Sequence, residues 1–159
     1  MRNVVLTVHI AARDARVALA RIAEFERYPQ LAADVREVTS HGDTTDWVVN
    51  FRRGPMRWTE TATVDDRELR IDFAQTDGDF AALAGSWQLV PGIGGCVVRF
   101  ECRYDFGIES LAGIMDPIAE RVIKRVVCDV LAALFGHTTV LSGGEALTDM
   151  PGPTPERAA

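Results

Sequence analysis

Cysteine is sparse and unpatterned in this chain. Only Cys96, Cys102 and Cys128 occur among 159 residues, with no CxxC pair and no cysteine–histidine cluster. Cys96 and Cys102 fall six apart on one alternating stretch, about 20 Å at ~3.3 Å per residue and so beyond disulfide reach. This odd set excludes a disulfide scaffold and is expected of reduced thiols in a cytoplasmic protein. Histidine is equally thin: His9, His41 and His137 are scattered, none with an acidic partner at ligand spacing. No metal site and no cofactor is therefore expected. Long apolar runs are missing, and none reaches the roughly 18 residues of a membrane span. The N-terminal MRNVVLTVHIAARDARV has an early Arg2 but no apolar core followed by a small-residue cleavage site, so it reads as structure rather than a signal peptide. Positive charge is in the minority, 17 Lys and Arg against 23 Asp and Glu, for a net charge of -6. That argues against a nucleic-acid partner, which needs a basic face.

What is present is ordinary for one globular domain: 47% hydrophobic and 25% charged residues. RNVVLTVH (residues 2–9) is short and β-branched, a strand. Asp14 then precedes an apolar-periodic run through Val17, Leu19, Ile22 and Phe25, a capped helix that Pro29 stops. A short helical turn is expected around residues 30–33. Extended runs follow at 35–41, 46–53, 56–64, 68–75, 80–90 and 96–106, punctuated by Gly, Pro and Asp, the pattern of an antiparallel meander. After Gly107 the period changes. Met115, Ile118, Val122, Val126, Val130 and Leu134 recur every three to four residues behind Asp116-Pro117, which predicts a long amphipathic helix over 117–140. Arg121, Lys124 and Arg125, with Glu120, are read as its wet face. From Ser142 the composition collapses to SGGEALTDMPGPTPERAA, read as a disordered tail over 142–159 behind a domain spanning 1–141. One sheet of about seven strands plus one long helix is an α+β domain.

The stretch MRWTETATV (56–64) raises the functional question. Met56, Trp58, Glu60, Ala62 and Val64 share one face by period two, so a carboxylate sits among apolar neighbours. A buried carboxyl without a cation has its pKa raised and can serve as a general acid or base near neutral pH. The alternative is a structural ion pair, with Arg53 facing inward beside Trp47, Val49 and Phe51 on the neighbouring run. Gln75, in register with Phe73, and Tyr104, in register with Phe100 and Cys102, are two further polar groups on apolar faces that can hydrogen-bond a ligand carbonyl. Gly85 is read as a point where backbones approach closely or the strand bends. Three inward polar groups argue against a fully packed interior that serves only protein interaction.

Three stretches resemble a known family: EFERYPQLAADVREV (24–38), GDFAALAGSWQLVP (78–91) and the terminal amphipathic helix. Their order and spacing are similar to those of the helix-grip, START-like superfamily of polyketide cyclases and aromatases, coenzyme Q-binding proteins and lipid-transfer domains. The resemblance spans about residues 3–140. It implies a curved antiparallel sheet wrapped around the long helix, with an internal ligand cavity. It also implies a hydrophobic or aromatic small-molecule partner, free or carried on an acyl carrier protein, and a monomer or homodimer. In the cyclase branch the cavity promotes aldol closure and dehydration of a poly-β-ketone; other branches carry a quinone or lipid without chemistry. Trp58 and Trp87 match aromatic wall positions of the cyclase branch. That branch's pocket tyrosine and arginine, near Val35 and Ala62, are absent, so its usual acid/base set is not carried over. Glu60 is then the catalytic candidate, and Trp58, Trp87, Gln75, Tyr104, Arg53 and Phe73 are the substrate-binding candidates.

Overall fold

The computed structural model describes residues 1–52 and 54–148. The first strand, β1 (Arg2–Ile10), leads into helix α1 (Ala15–Ile22), whose N-cap Asp14 accepts the backbone N–H of Arg16 and Val17 at 3.0 and 3.2 Å. A 3₁₀ turn at Phe25–Arg27 and a single helical turn α2 (Tyr28–Leu31), with Pro29 in its first turn, complete the crossing. Six strands follow in a meander: β2 (Val35–His41), β3 (Thr44–Phe51), β4 (Gly54–Asp65), β5 (Arg70–Gly78), β6 (Ala82–Gly92) and β7 (Gly95–Asp105). The long helix α3 (Glu109–Phe135), a last strand β8 (Thr138–Ser142) and a helical turn α4 (Glu145–Thr148) close the described chain. The strand order is β2-β3-β4-β5-β6-β7-β1-β8, and each neighbouring pair for which a register is defined is antiparallel. This is the helix-grip architecture: an open curved sheet gripping α3.

Alternation decides which side faces α3. On β1, Val4, Leu6, Val8 and Ile10 are buried, and on β7 so are Cys96, Val98, Phe100, Cys102 and Tyr104. These two strands pair residue for residue, Leu6 opposite Phe100 and Val8 opposite Val98, and present one continuous apolar surface. Helix α3 answers with Ala119, Val122, Val130 and Leu131, all buried. Its backbone lies close to β1 and β3 and to α1 and α2. Two devices shape the sheet. Opposite Glu60 the β4–β5 register shifts, since Thr59 pairs Asp77 while Glu60 pairs Gln75, which leaves Thr76 as a bulge. At Gly85, an added Cβ would collide with the Glu101 carbonyl and lie 2.6 Å from Phe73 Cζ, so strands and ring close in where a side chain is missing.

Several expectations change in detail. The sheet has eight strands, because Gly136 (φ +78°) ends α3 at Phe135 and the β-branched Thr138, Thr139 and Val140 pair with β1. The helix begins at Glu109, eight residues before Pro117, which lies inside it. Residues 142–148 of the expected tail include the end of β8 and the turn α4, while residues 149–159 lie outside the described residues. Lys124 is not on the wet face: it is 4% exposed and its Nζ donates to Glu120 Oε2 at 2.8 Å. Among the described residues no helix is long and apolar enough to cross a membrane.

Candidate active site

Between α3 and strands β3–β7 lies a cavity of ≈ 80 Å³. Phe25 and Tyr28 close one end, Trp47, Val49 and Phe51 line it from β3, and Trp58 and Glu60 line it from β4. Phe73, Phe80, Leu83, Trp87, Phe100 and Cys102 form the floor, and Ile123, Val126 and Val127 of α3 the roof. Trp58, Phe73, Ile123 and Val126, on β4, β5 and the helix, are the partly exposed members of this lining.

Glu60 is the one ionisable carboxyl in this wall, and it is 3% exposed. Burial pushes its pKa up to about 7, against two indole N–H groups that favour the anion. Trp58 Nε1 donates to Glu60 Oε1 at 2.9 Å. The Trp47 N–H lies near enough to lower the pKa, yet it has no hydrogen-bond partner among the described residues. Trp47 and Trp58 are cross-strand partners with rings stacked at 6° and 5.9 Å between centroids. No cation pairs with Glu60 among the described residues. Its charge also reaches two neighbours. Burial first, then the Glu60 carboxylate, raises the Cys102 thiol to about 12 and lifts Tyr28 well above its usual value. The Tyr28 hydroxyl is occupied, donating to Ile22 O at 2.6 Å.

Of the residues singled out in the sequence, Glu60, Trp58, Trp87 and Phe73 meet in this cavity. Gln75 and Tyr104 do not line it. Gln75 is the cross-strand partner of Glu60, but its Nε2 donates to Phe80 O at 2.9 Å and so fixes the chain entering β6. Tyr104 is wholly buried and its hydroxyl donates to Asp116 O at 2.6 Å, tying the sheet to α3. Arg53 lies outside the described residues. Arg125 borders a separate groove beside the β3–β4 connection and pairs with Asp34 at 2.8 Å. Trp47, Phe80 and Cys102 are further wall residues that the sequence does not mark as ligand contacts. The alternation of Trp47, Val49 and Phe51 carried the signal for Trp47.

A family model described as polyketide cyclase/dehydrase and lipid transport matches residues 12–131. Solved structures that share the fold include the following three. A protein of Thermus thermophilus is 23% identical with a TM-score of 0.71, over 84% of this chain and 94% of that one. The Zhui aromatase/cyclase from a Streptomyces species is 18% identical with a TM-score of 0.65, over 85% and 92%. A START superfamily protein from Mycobacterium smegmatis is 17% identical with a TM-score of 0.65, over 83% and 93%. No curated protein sequence is similar enough to match. A sheet gripping a long helix, a cavity between them and a family match over three-quarters of the length agree: the chain belongs to the polyketide cyclase/dehydrase and lipid transport family.

Proposed function

We propose that the protein is a cyclase or dehydratase that closes a ring in a poly-β-ketone or related ketone, with Glu60 moving the protons. The observation that carries this reading is a carboxyl group, buried and without a cation partner among the described residues, in an otherwise apolar cavity wall, where burial pushes its pKa up to about 7. As the carboxylate, Glu60 removes a proton alpha to one carbonyl. The enolate carbon then forms a bond to a second carbonyl carbon, whose oxygen takes up a proton to give a β-hydroxyketone. Loss of a further alpha proton and of the hydroxyl as water leaves the enone. The walls contribute by holding both ends of the chain close, and Trp58 and Trp87 present flat surfaces to it. The cavity of ≈ 80 Å³ is smaller than the roughly 300–1,000 Å³ of drug-sized pockets. A long chain is therefore admitted only by outward movement of the partly exposed wall of Trp58, Phe73, Ile123 and Val126. Such a chain is free or carried on an acyl carrier protein.

The test uses a short diketone. 2,6-Heptanedione cyclises to 3-methylcyclohex-2-enone with loss of one water, and the enone is followed by its absorbance. Glu60→Gln is expected to abolish the protein-dependent rate while leaving the fold intact. A folded Glu60→Gln protein with full activity removes Glu60 from the mechanism. The apolar character of the wall favours a second reading, a carrier that holds a quinone or lipid without chemistry. In that case Glu60→Gln retains the ligand, whereas filling the cavity from α3 with Val127→Phe expels it. Native mass spectra of the purified protein distinguish the two by a retained hydrophobic molecule.

A further inference from the structure

Two buried side-chain polar atoms have no hydrogen-bond partner among the described residues, Trp47 Nε1 and Gln75 Oε1. The first belongs to the cavity wall, and Trp47 is 7% exposed. An indole N–H is a donor only, and buried donors are rarely left unpaired because their desolvation is not repaid. Nothing in the packing of Trp47 requires that N–H to be bare. Its ring is held by Trp58 at 5.9 Å, by Phe25 at 5.6 Å and by Tyr28 at 5.5 Å between centroids. A phenylalanine would serve that packing without a polar atom. Glu60 Oε1 accepts from Trp58, and the Trp47 N–H lies close enough to the same carboxyl group to favour its anion, but no hydrogen bond joins Trp47 to it.

We propose that the Trp47 N–H is the hydrogen-bond donor for a ligand oxygen, so that the cavity selects molecules carrying a carbonyl or equivalent acceptor beside Glu60. This rests on the reading that the cavity takes a ligand, and it does not require Glu60 to move a proton. In the ring-closing reaction the same N–H stabilises the oxygen on which charge develops as the alpha proton leaves. In a carrier it discriminates a quinone or ketone from a hydrocarbon of the same shape. Trp47 is thereby a ligand-recognition residue, and Trp58 the residue that orients the carboxyl group.

The test compares cyclopentanone with methylenecyclopentane, which replaces the carbonyl oxygen by CH2 at nearly constant shape. Both are titrated into the full chain, and the indole N–H resonances of its three tryptophans are followed by NMR. Trp47→Phe assigns the Trp47 resonance. If that variant does not fold, nuclear Overhauser contacts to the rings of Phe25 and Tyr28 assign it in the wild type. The expected result is a downfield shift of the Trp47 N–H with cyclopentanone alone, together with roughly tenfold or greater preference for the ketone. In Trp47→Phe the ratio of ketone to hydrocarbon affinity falls to near one. Equal shifts with both probes, a response confined to Trp58 or Trp87, or no response at saturating probe each overturn the proposal. The Glu60→Gln rate is an independent readout, so either result can fail without the other.

Discussion

Trp58 donates its indole N–H to Glu60 from two positions back on the same strand, at 2.9 Å. Residues two apart on a strand share a face, so a same-strand pair fixes the carboxyl group without help from a distant element. The bulge at Thr76 lies opposite this pair and keeps Gln75, rather than Thr76, level with Glu60. The site is therefore set by β4 and its register with β5, while α3 and β3 supply the surroundings that raise the pKa.

That raised pKa makes stability depend on pH with a defined sign. The neutral form of Glu60 is favoured in the folded state, where its pKa is about 7 against an ordinary 4.5. Its contribution is complete below pH 4.5, falls as pH rises, and is lost above about 7. The loss is on the order of 3 kcal/mol. Thermal melts from pH 5 to pH 8 should show Tm falling in the wild type, with a flatter profile in Glu60→Gln. Parallel profiles for the two proteins would show that the carboxyl group titrates at its ordinary value. The rate with 2,6-heptanedione should rise through the same window, since the carboxylate is the base.

Gly85 places Phe73 in the wall. The Phe73 ring covers the glycine, and an added methyl group meets the Glu101 carbonyl and the ring together. Gly85→Ala should cost about 2–3 kcal/mol through overpacking, read as a lower midpoint in urea. It should also push the Phe73 ring toward the cavity and weaken binding of any probe held there. An unchanged urea midpoint would mean that the strands separate at no cost.

Much of this was legible in the sequence because period-two alternation carries it. The faces of MRWTETATV and of CVVRFECRYDF gave the burial of Glu60 and Tyr104 directly. What alternation does not contain is the partner of each inward polar group. Tyr104 and Gln75 face apolar neighbours, yet both reach backbone carbonyls, of Asp116 and Phe80, that only the packed chain brings near. Lys124 falls on a charged stripe of α3 in the sequence, but in the packed chain it is buried and shares Glu120 with Arg2 of β1. The eighth strand is hidden in the sequence because the apolar period of α3 runs up to Gly136, and only the positive φ of that glycine ends the helix there.

The thiols should be inert in the folded protein. Cys96 and Cys102 are buried, all three cysteines are free, and burial raises Cys102 to about 12 and Cys128 to about 11. Thiolates are the reactive form, so a thiol reagent at pH 7 should modify the half-buried Cys128 first and slowly. Cys96 and Cys102 should react only on unfolding. A cavity ligand should delay Cys102 further, because that side chain lines the wall. Rapid modification of Cys102 in the native protein would require the cavity to open often.

The charge cluster where β1 meets α3 should be the acid-sensitive part of the molecule. Glu120 accepts from Arg2 Nη2 at 2.6 Å and from Lys124 Nζ at 2.8 Å. Burial works to raise its pKa, but Lys124 and then Arg2 outweigh that and hold it below the ordinary 4.5. With the folded pKa lowered, the contribution is present above pH 4.5 and is lost as pH falls through the folded value. This is the opposite sign to Glu60, so the stability maximum should fall between the two windows. Glu120→Gln leaves Lys124 buried without its anion and should cost about 3 kcal/mol. Arg2, whose side chain is 37% exposed, can turn to water and should add little. Lys124→Met keeps the apolar stem and removes the charge, and the double variant should recover most of the loss, since an apolar replacement of a buried pair is often close to neutral. Urea midpoints of the four proteins give the coupling directly. Strict additivity would mean that Lys124 finds another anion or reaches water once Glu120 is neutral.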